Sequence, residues 1–138
     1  MTFKIMGAIH VALYRLTGGR IGGRAFGAPV LLLTTRGRKT GKERTTPLLY
    51  LEDGDRLVVV ASKGGAPRHP AWFLNLAANP EVTVERGRER VPTLAREADD
   101  PERERYWPQV VAMYPGYARY QEKTSRRIPL VVLEPRRL

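Results

Sequence analysis

The sequence predicts a mainly β fold with helices: a small, mostly antiparallel barrel carrying its helices on the outside. Three observations lead there. Six segments have the length and the apolar or alternating pattern of strands. Several are joined by short turn signals, so consecutive strands run antiparallel. The last strand segment follows two helical stretches near the C-terminus, where it can close the sheet.

The chain begins with a helix. Ile5, Met6, Ile9, Ala12, Leu13 and Leu16 recur at helical spacing, and Thr17-Gly18-Gly19 ends the pattern. Residues 18–27 hold five glycines, Arg20 and Arg24, and form a connector. We divide the chain there, into an amphipathic helix with its connector (1–26) and a barrel domain (27–138). The helix has two readings: a lid packed on the core, or a helix whose residues 3–17 also touch a membrane surface, helped by Lys4, Arg15, Arg20 and Arg24.

VLLLTT (30–35) reads as a buried strand and TTPLLYL (45–51) as a second. Asp53-Gly54 signals a hairpin turn, and RLVVVAS (56–62) returns from it. PAWFLNLAAN (70–79) has the length and ending of a short helix. EVTVER (81–86) alternates, turns at Gly87 and returns as ERVPTLAR (89–96). Asp99-Asp100-Pro101 starts a helix towards Met113, with acids at the cap and proline in the first turn. A second helical piece covers 117–123, and IPLVVLE (128–134) is the closing strand.

The chain has 138 residues, enough for one domain with a core of its own. It has no cysteine, which excludes disulfides, thiol catalysis and cysteine-held metals. His10 and His69 are its two histidines, 59 positions apart, so no metal site is expected. No apolar run reaches the roughly 20 residues that span a bilayer, and the N-terminus lacks the marks of a signal peptide. A cytoplasmic protein is expected.

The net charge is +10 and lopsided. Residues 1–50 carry nine Lys or Arg against Glu43 alone, whereas residues 51–138 carry 15 bases and 13 acids. An anionic partner for the first third follows: nucleic acid, anionic lipid or a phosphorylated small molecule. The charge peaks between two predicted strands, in TRGRKTGKERTTP (35–47). Walker A spacing fails there, because Arg36 and Glu43 stand where glycine and Ser/Thr are needed. The glycines of 18–23 have neither the spacing nor the place of a dinucleotide fingerprint. The turn itself can be a solvated charged loop. It can equally be an anion nest, with Gly37 and Gly41 freeing the backbone, Arg38, Lys39 and Arg44 adding charge, and Thr40 and Thr45 adding hydroxyls. A second basic turn, SKGGAPRHPAW (62–72), opens a helix and is placed to share a groove with the first. Tyr114, Tyr117 and Tyr120 recur every third residue, either as a core stripe or as an aromatic wall for a planar ring. No Ser-His-Asp set, close carboxylate pair or metal cluster is visible, so an enzyme of this sequence relies on a cofactor for its chemistry.

GRKTG (37–41), SKGG (62–65), PAWFLNL (70–76), YWP (106–108) and MYPGYARY (113–120), in this order, resemble the deazaflavin-dependent nitroreductase family of actinobacteria. The resemblance implies a split, FMN-binding-like β-barrel and the deazaflavin coenzyme F-420, which bears a phosphodiester and an oligoglutamate tail. It implies hydride transfer to a quinone or nitroaromatic acceptor. By carry-over, Arg38, Lys39, Thr40 and Arg44 meet phosphate and tail, Pro47 and Leu48 line the ring, and Ala61, Ser62 and Lys63 contact ring or linker. Leu49, Trp72, Tyr114, Tyr117 and Tyr120 shape the acceptor pocket, and Ser62 or a tyrosine hydroxyl meets the growing negative charge. Leu49 stands where some relatives carry an aromatic, with Tyr50 on the opposite face of a regular strand. The first helix is similar to a segment thought to hold some relatives at the membrane. Two other readings stay open: a basic barrel that binds nucleic acid through the first turn and the tyrosines, and a barrel that binds deazaflavin or flavin without turnover.

Overall fold

The computed structural model describes the backbone of residues 2–136 and the side chains of residues 7–136. The elements are α1 (Thr2–Thr17), β1 (Arg24–Ala25), β2 (Ala28–Arg36), β3 (Glu43–Leu49), β4 (Leu51–Asp53), β5 (Arg56–Val60), α2 (Ala71–Ala78), β6 (Glu81–Arg86), β7 (Glu89–Glu97), α3 (Asp100–Met113), α4 (Gly116–Lys123) and β8 (Leu130–Pro135), with a single 3-10 turn at Lys63–Gly65. Every strand pair is antiparallel. The order is β1-β2-β6-β7-β8-β5-β4, and β3 also pairs with β2.

β3 and β4 are consecutive pieces of one ribbon, yet one lies on β2 and the other on β5. That ribbon closes the curled sheet into a barrel. The predicted strand 45–51 is therefore two strands. The chain leaves the edge of β2 at Tyr50, whose N–H donates to Pro29 O at 3.2 Å. Three other expectations change. The glycine-rich connector contains β1, whose Arg24 and Ala25 pair with Pro29 and Ala28. The hairpin turn is Gly54-Asp55, because Asp53 still pairs with Arg56. The closing strand begins at Leu130, since the Ile128 N–H is bound by the Gln121 side chain and its carbonyl by Arg103.

The continuous apolar runs are explained by burial on both faces of their strands. Leu31, Leu33, Val59, Val131 and Leu133 point into the barrel, where Trp72, Phe73 and Leu76 of α2 plug one end. Val58, Val60, Leu130 and Val132 point outwards and are covered by Tyr106 and Val110 of α3 and Tyr117 of α4. Val30 and Leu32 lie under Tyr14 of α1. The Tyr14 hydroxyl donates to Val30 O at 3.1 Å and accepts from the Gly87 N–H at 2.9 Å, which fastens α1 to the barrel. The expected helix pattern at Ile5 and Met6, and the charge at Lys4, lie outside the described side chains.

α3 starts on a reciprocal capping box between Asp99 and Glu102. Glu102 also receives two hydrogen bonds from Arg96, at 2.7 and 2.8 Å. These hydrogen bonds hold its carboxyl far below the usual range, at about 2. Arg56 and Arg96 each bridge Glu102 to Glu134 of β8, which ties α3 to the sheet.

Candidate functional site: a cationic hollow beside an edge strand

The β2–β3 turn owes its shape to its glycines. Gly37 N donates to Lys42 O and Gly41 N to Gly37 O, both at 2.8 Å. Gly41 has φ +71°, and a Cβ on Gly37 would lie 2.9 Å from the Thr40 hydroxyl and 3.2 Å from Lys42 O. Neither position accepts a larger residue without strain. The turn is then bolted to α2 by one amide. Asn75 Oδ1 accepts from Arg38 N (3.2 Å) and Arg38 Nη1 (3.1 Å), while Asn75 Nδ2 donates to the Thr35 hydroxyl (3.2 Å). Asn75 is 4% exposed; its bond to Thr35 is buried, and its two bonds to Arg38 are partly buried.

A hollow of about 450 Å³ results. Arg38, Lys39, Thr40 and Arg44 line one side, Thr45 and Thr46 of β3 its floor, and Ala71, Trp72 and Asn75 of α2 the other side. No acidic residue lines it. A second hollow of about 560 Å³ shares Arg44, Thr45 and Thr46, adds the acid Glu43, and continues past Pro47 to Gly7 and Ala8 of α1. The edge of β3 thus carries a trough that is cationic at one end and flanked by α1 at the other.

The second basic turn is built differently from its surroundings. Lys63, Gly64 and Gly65 have φ +46°, +63° and +80°, three left-handed residues in a row. For the non-glycine Lys63 this conformation costs on the order of 1 kcal/mol. Arg126 holds the loop. Its guanidinium donates to Ser62 O (2.6 Å), Ala66 O (2.7 Å) and Ala61 O (3.2 Å), and contacts His69 Nδ1 at 3.0 Å. Burial, then the Arg126 charge, push His69 below its usual pKa. The ring is neutral, with Nδ1 as the acceptor. Ser62 is 9% exposed, and its hydroxyl does not cap the turn. Since no buried side-chain oxygen or nitrogen among the described residues lacks a partner, a hydroxyl without one here reaches the surface. A Cβ on Gly65 would lie 2.7 Å from Tyr120 O, so this turn packs on α4.

Tyr114, Tyr117 and Tyr120 meet as a triangle with ring centroids 4.9, 6.0 and 6.4 Å apart. The hydroxyls of Tyr114 and Tyr120 are 2.9 Å apart. That bond, then burial, raises the Tyr114 pKa. Tyr117 is buried against Val58 and Val60, and burial pushes its phenol far above the ordinary value. The three rings therefore do not form one open wall. Tyr117 is core, and Tyr114 and Tyr120 present the surface.

The structure sorts the expected site residues into two groups. Arg38, Lys39, Thr40 and Arg44 share the cationic hollow, and Pro47 lines its continuation. At the other end of the β5–β6 connection the Lys63–Gly65 turn packs on α4, which carries Tyr120, and the Tyr120 hydroxyl meets that of Tyr114. The groove shared by the two basic turns is partial: Ala71 and Trp72 of the second turn line the hollow, and Ser62 and Lys63 do not. Trp72 accordingly stands beside Arg38 and not beside the tyrosines. Ala61 is 0% exposed, with its N–H given to Pro129 O and its carbonyl to Arg126, so it supports the loop and offers a ligand no atom. Leu48 packs towards the barrel interior. Leu49 packs on the outer face with the cluster that includes the tyrosines, and Tyr50 on the inner one, as alternation requires. Asn75 and Arg126 were not expected. An amide in the middle of the apolar run AWFLNLAA (71–78) was a readable signal for the first. Nothing local marks the second.

The chain matches the family model described as F420H(2)-dependent quinone reductase over residues 6–135. It is similar to the F420H(2)-dependent quinone reductase Rv1261c of Mycobacterium tuberculosis (strain H37Rv), at 49% identity over 133 residues, 93% of this chain and 89% of that protein. Among solved structures it is similar to an F420-H2 dependent reductase, FDR-A, with 47% identity, 77% of this chain and 94% of the other covered, and a TM-score of 0.71. Its likeness to a putative pyridoxamine 5'-phosphate oxidase from Listeria innocua, at 18% identity, 78% and 84% coverage and a TM-score of 0.57, concerns the fold alone, a split β-barrel.

Proposed function

The chain belongs to the F420H(2)-dependent quinone reductase family, and from that premise we propose that its acid-free cationic hollow seats coenzyme F-420 for hydride transfer to a quinone. The observation that carries this reading is the hollow itself: three cationic residues and three threonines line it, with no carboxylate among them. That donor set fits a phosphodiester and an oligoglutamate tail, since guanidinium and ammonium groups bind both anions by charge-assisted hydrogen bonds. Arg38, Lys39, Thr40 and Arg44 would hold these anionic parts. Pro47 and the rest of the β3 edge would lie along the ring, and Lys63 would add a cation from the other side.

When bound in its reduced form, the coenzyme supplies the hydride. The chain's own residues do the rest. The two turns fix the coenzyme's orientation, which converts an encounter between donor and acceptor into a positioned one. Tyr114 and Tyr120 offer aromatic surface to the acceptor. The Ser62 hydroxyl, or the hydroxyl of the Tyr114–Tyr120 pair that is not donating to the other, supplies a hydrogen bond to the oxygen on which negative charge grows. Nitroaromatic acceptors are a finer reading that rests on the same surface.

Steady-state oxidation of reduced F-420 by the purified protein tests the proposal, with menadione and a nitroaromatic as separate acceptors. Turnover with menadione is expected. Tight F-420 binding without turnover on any quinone would leave a binding protein in its place.

α1 and the turn after it add a membrane contact to this reading. Ile9, Leu13, Leu16 and Ile21 are exposed, Leu16 to 76%, and Arg20 and Arg24 are exposed beside them. Apolar side chains flanked by cations suit an anionic interface, where a lipid-soluble quinone resides. Arg15 is not part of this face, because it is paired with Glu85 at 2.7 Å. No described helix is long and apolar enough to cross a membrane. Co-sedimentation with anionic vesicles is expected, and protein that stays in the supernatant at low salt would remove the contact.

A further inference from the structure

We propose that Phe26 is a specificity residue for the acceptor: an aromatic cap, carried on the tip of the β1–β2 hairpin, that covers the acceptor ring on the Tyr114 surface. This rests on the quinone reductase reading above.

The hairpin has a two-residue loop, because Ala25 pairs with Ala28. Both loop residues, Phe26 and Gly27, have positive φ, +53° and +78°. This is the primed turn geometry in which Asn-Gly is strongly preferred and a bulky first residue is not. Phe26 nonetheless holds that place, and it is 78% exposed. A large apolar side chain kept both strained and in water contributes little to the fold. An outlier of this kind points to a use.

Its ring touches one aromatic partner, Tyr114, with centroids 5.2 Å apart and planes inclined by 51°. That contact is between the hairpin tip and the tyrosine surface proposed to receive the acceptor. A planar ring between Phe26 and Tyr114 needs a separation of roughly 7 Å, two ordinary carbon contacts. The tip must therefore move outwards by about 2 Å to admit the acceptor. The local construction permits this. β1 is two residues long, a Cβ on Gly27 would meet nothing within 4 Å, and Arg24 Nη2 braces the turn through a single bond to Gly27 O at 2.9 Å. An acceptor so held is gripped on both faces, by Phe26 above and Tyr114 below. Acceptors with bulk out of the ring plane are excluded by the same cap.

Phe26→Asn is the test, because it installs the residue the turn prefers while removing the ring. Four quantities are read: the Kd of oxidised F-420, the Kd of menadione titrated by ligand-observed NMR into protein saturated with oxidised F-420, the KM of menadione in turnover, and the melting temperature. The menadione Kd and its KM in turnover are expected to rise about five- to tenfold, the loss of one aromatic contact. The F-420 Kd is expected to stay within about twofold, and Tm to rise by about 3 °C. Phe26→Trp, which keeps a ring at the tip, is expected to retain the wild-type menadione Kd. A menadione Kd and KM unchanged in Phe26→Asn, in protein whose F-420 binding is intact, would overturn the cap. Should the wild-type protein fail to bind F-420 or to oxidise its reduced form, the quinone reductase reading fails first and the cap falls with it. Should Phe26→Asn not fold, Phe26→Leu carries the same comparison.

Discussion

Replacing Lys39 and Arg44 together by alanine is expected to weaken binding of oxidised F-420 by about 100-fold, with almost no change in melting temperature. Both side chains are exposed, and neither has an ion pair or hydrogen bond among the described residues. The fold therefore loses little without them. A ligand anion is the partner they lack. Charge-assisted hydrogen bonds contribute about 1.5–3 kcal/mol each, and the lower figure applies at an exposed, salt-screened site. Two such contacts make about 3 kcal/mol, or roughly two decades in Kd. The loss should shrink as salt rises. An unchanged Kd would remove these residues from the site, and a collapse in Tm would mean that they are structural.

Asn75→Ala is expected to damage stability and binding together. The amide is buried and satisfies three groups on the β2–β3 side: Arg38 N–H, the Arg38 guanidinium and the Thr35 hydroxyl. Removing it takes the partner from the buried Thr35 hydroxyl and the partly buried Arg38 groups, at a cost of about 2–4 kcal/mol. A chain of this size should then melt roughly 8–15 °C lower. The F-420 Kd should rise about tenfold, because Arg38 is no longer fixed at the rim. Asn75→Asp separates the two effects. It keeps the acceptor for Arg38 and so should melt closer to wild type, but it brings a negative charge into the hollow and should bind F-420 more weakly than Asn75→Ala. Equal Kd values for Asn75→Ala and wild type would show that the turn holds its shape without α2.

How much of this was legible beforehand differs between fold and site, for physical reasons. Strands buried on both faces read as runs such as Leu31–Leu33 and Val58–Val60, so the barrel was visible in the sequence. The break at Tyr50 was not, because it reflects the need of one ribbon to serve two sheet edges, a tertiary demand with no local signal. β1 was hidden for a related reason: two residues inside a glycine-rich stretch have no periodicity to read. In the site, Arg38, Lys39 and Arg44 announced themselves by charge density between two apolar strands. Trp72 was placed with the tyrosines by the resemblance alone, and no local feature of the sequence bears on its position. The left-handed turn at Lys63–Gly65 and the loop after it carry the chain away, and Trp72 ends beside Arg38. Tyr117 shares a spacing with Tyr114 and Tyr120 but is turned into the outer core, since helical spacing fixes a face and not its depth. Arg126 is 57 residues from His69 and 64 from Ser62, and only the folded barrel brings them together.

The central claim is that the cationic trough along β3 is shaped for a deazaflavin coenzyme and is not a general anion patch. Parallel binding titrations of the wild-type protein with oxidised F-420, flavin mononucleotide and oligo-dT, at low and at physiological salt, test it most directly. The expected result is F-420 binding at least tenfold tighter than either competitor at physiological salt. Equal affinity for all three, or oligo-dT binding that dominates and falls steeply with salt, would contradict it.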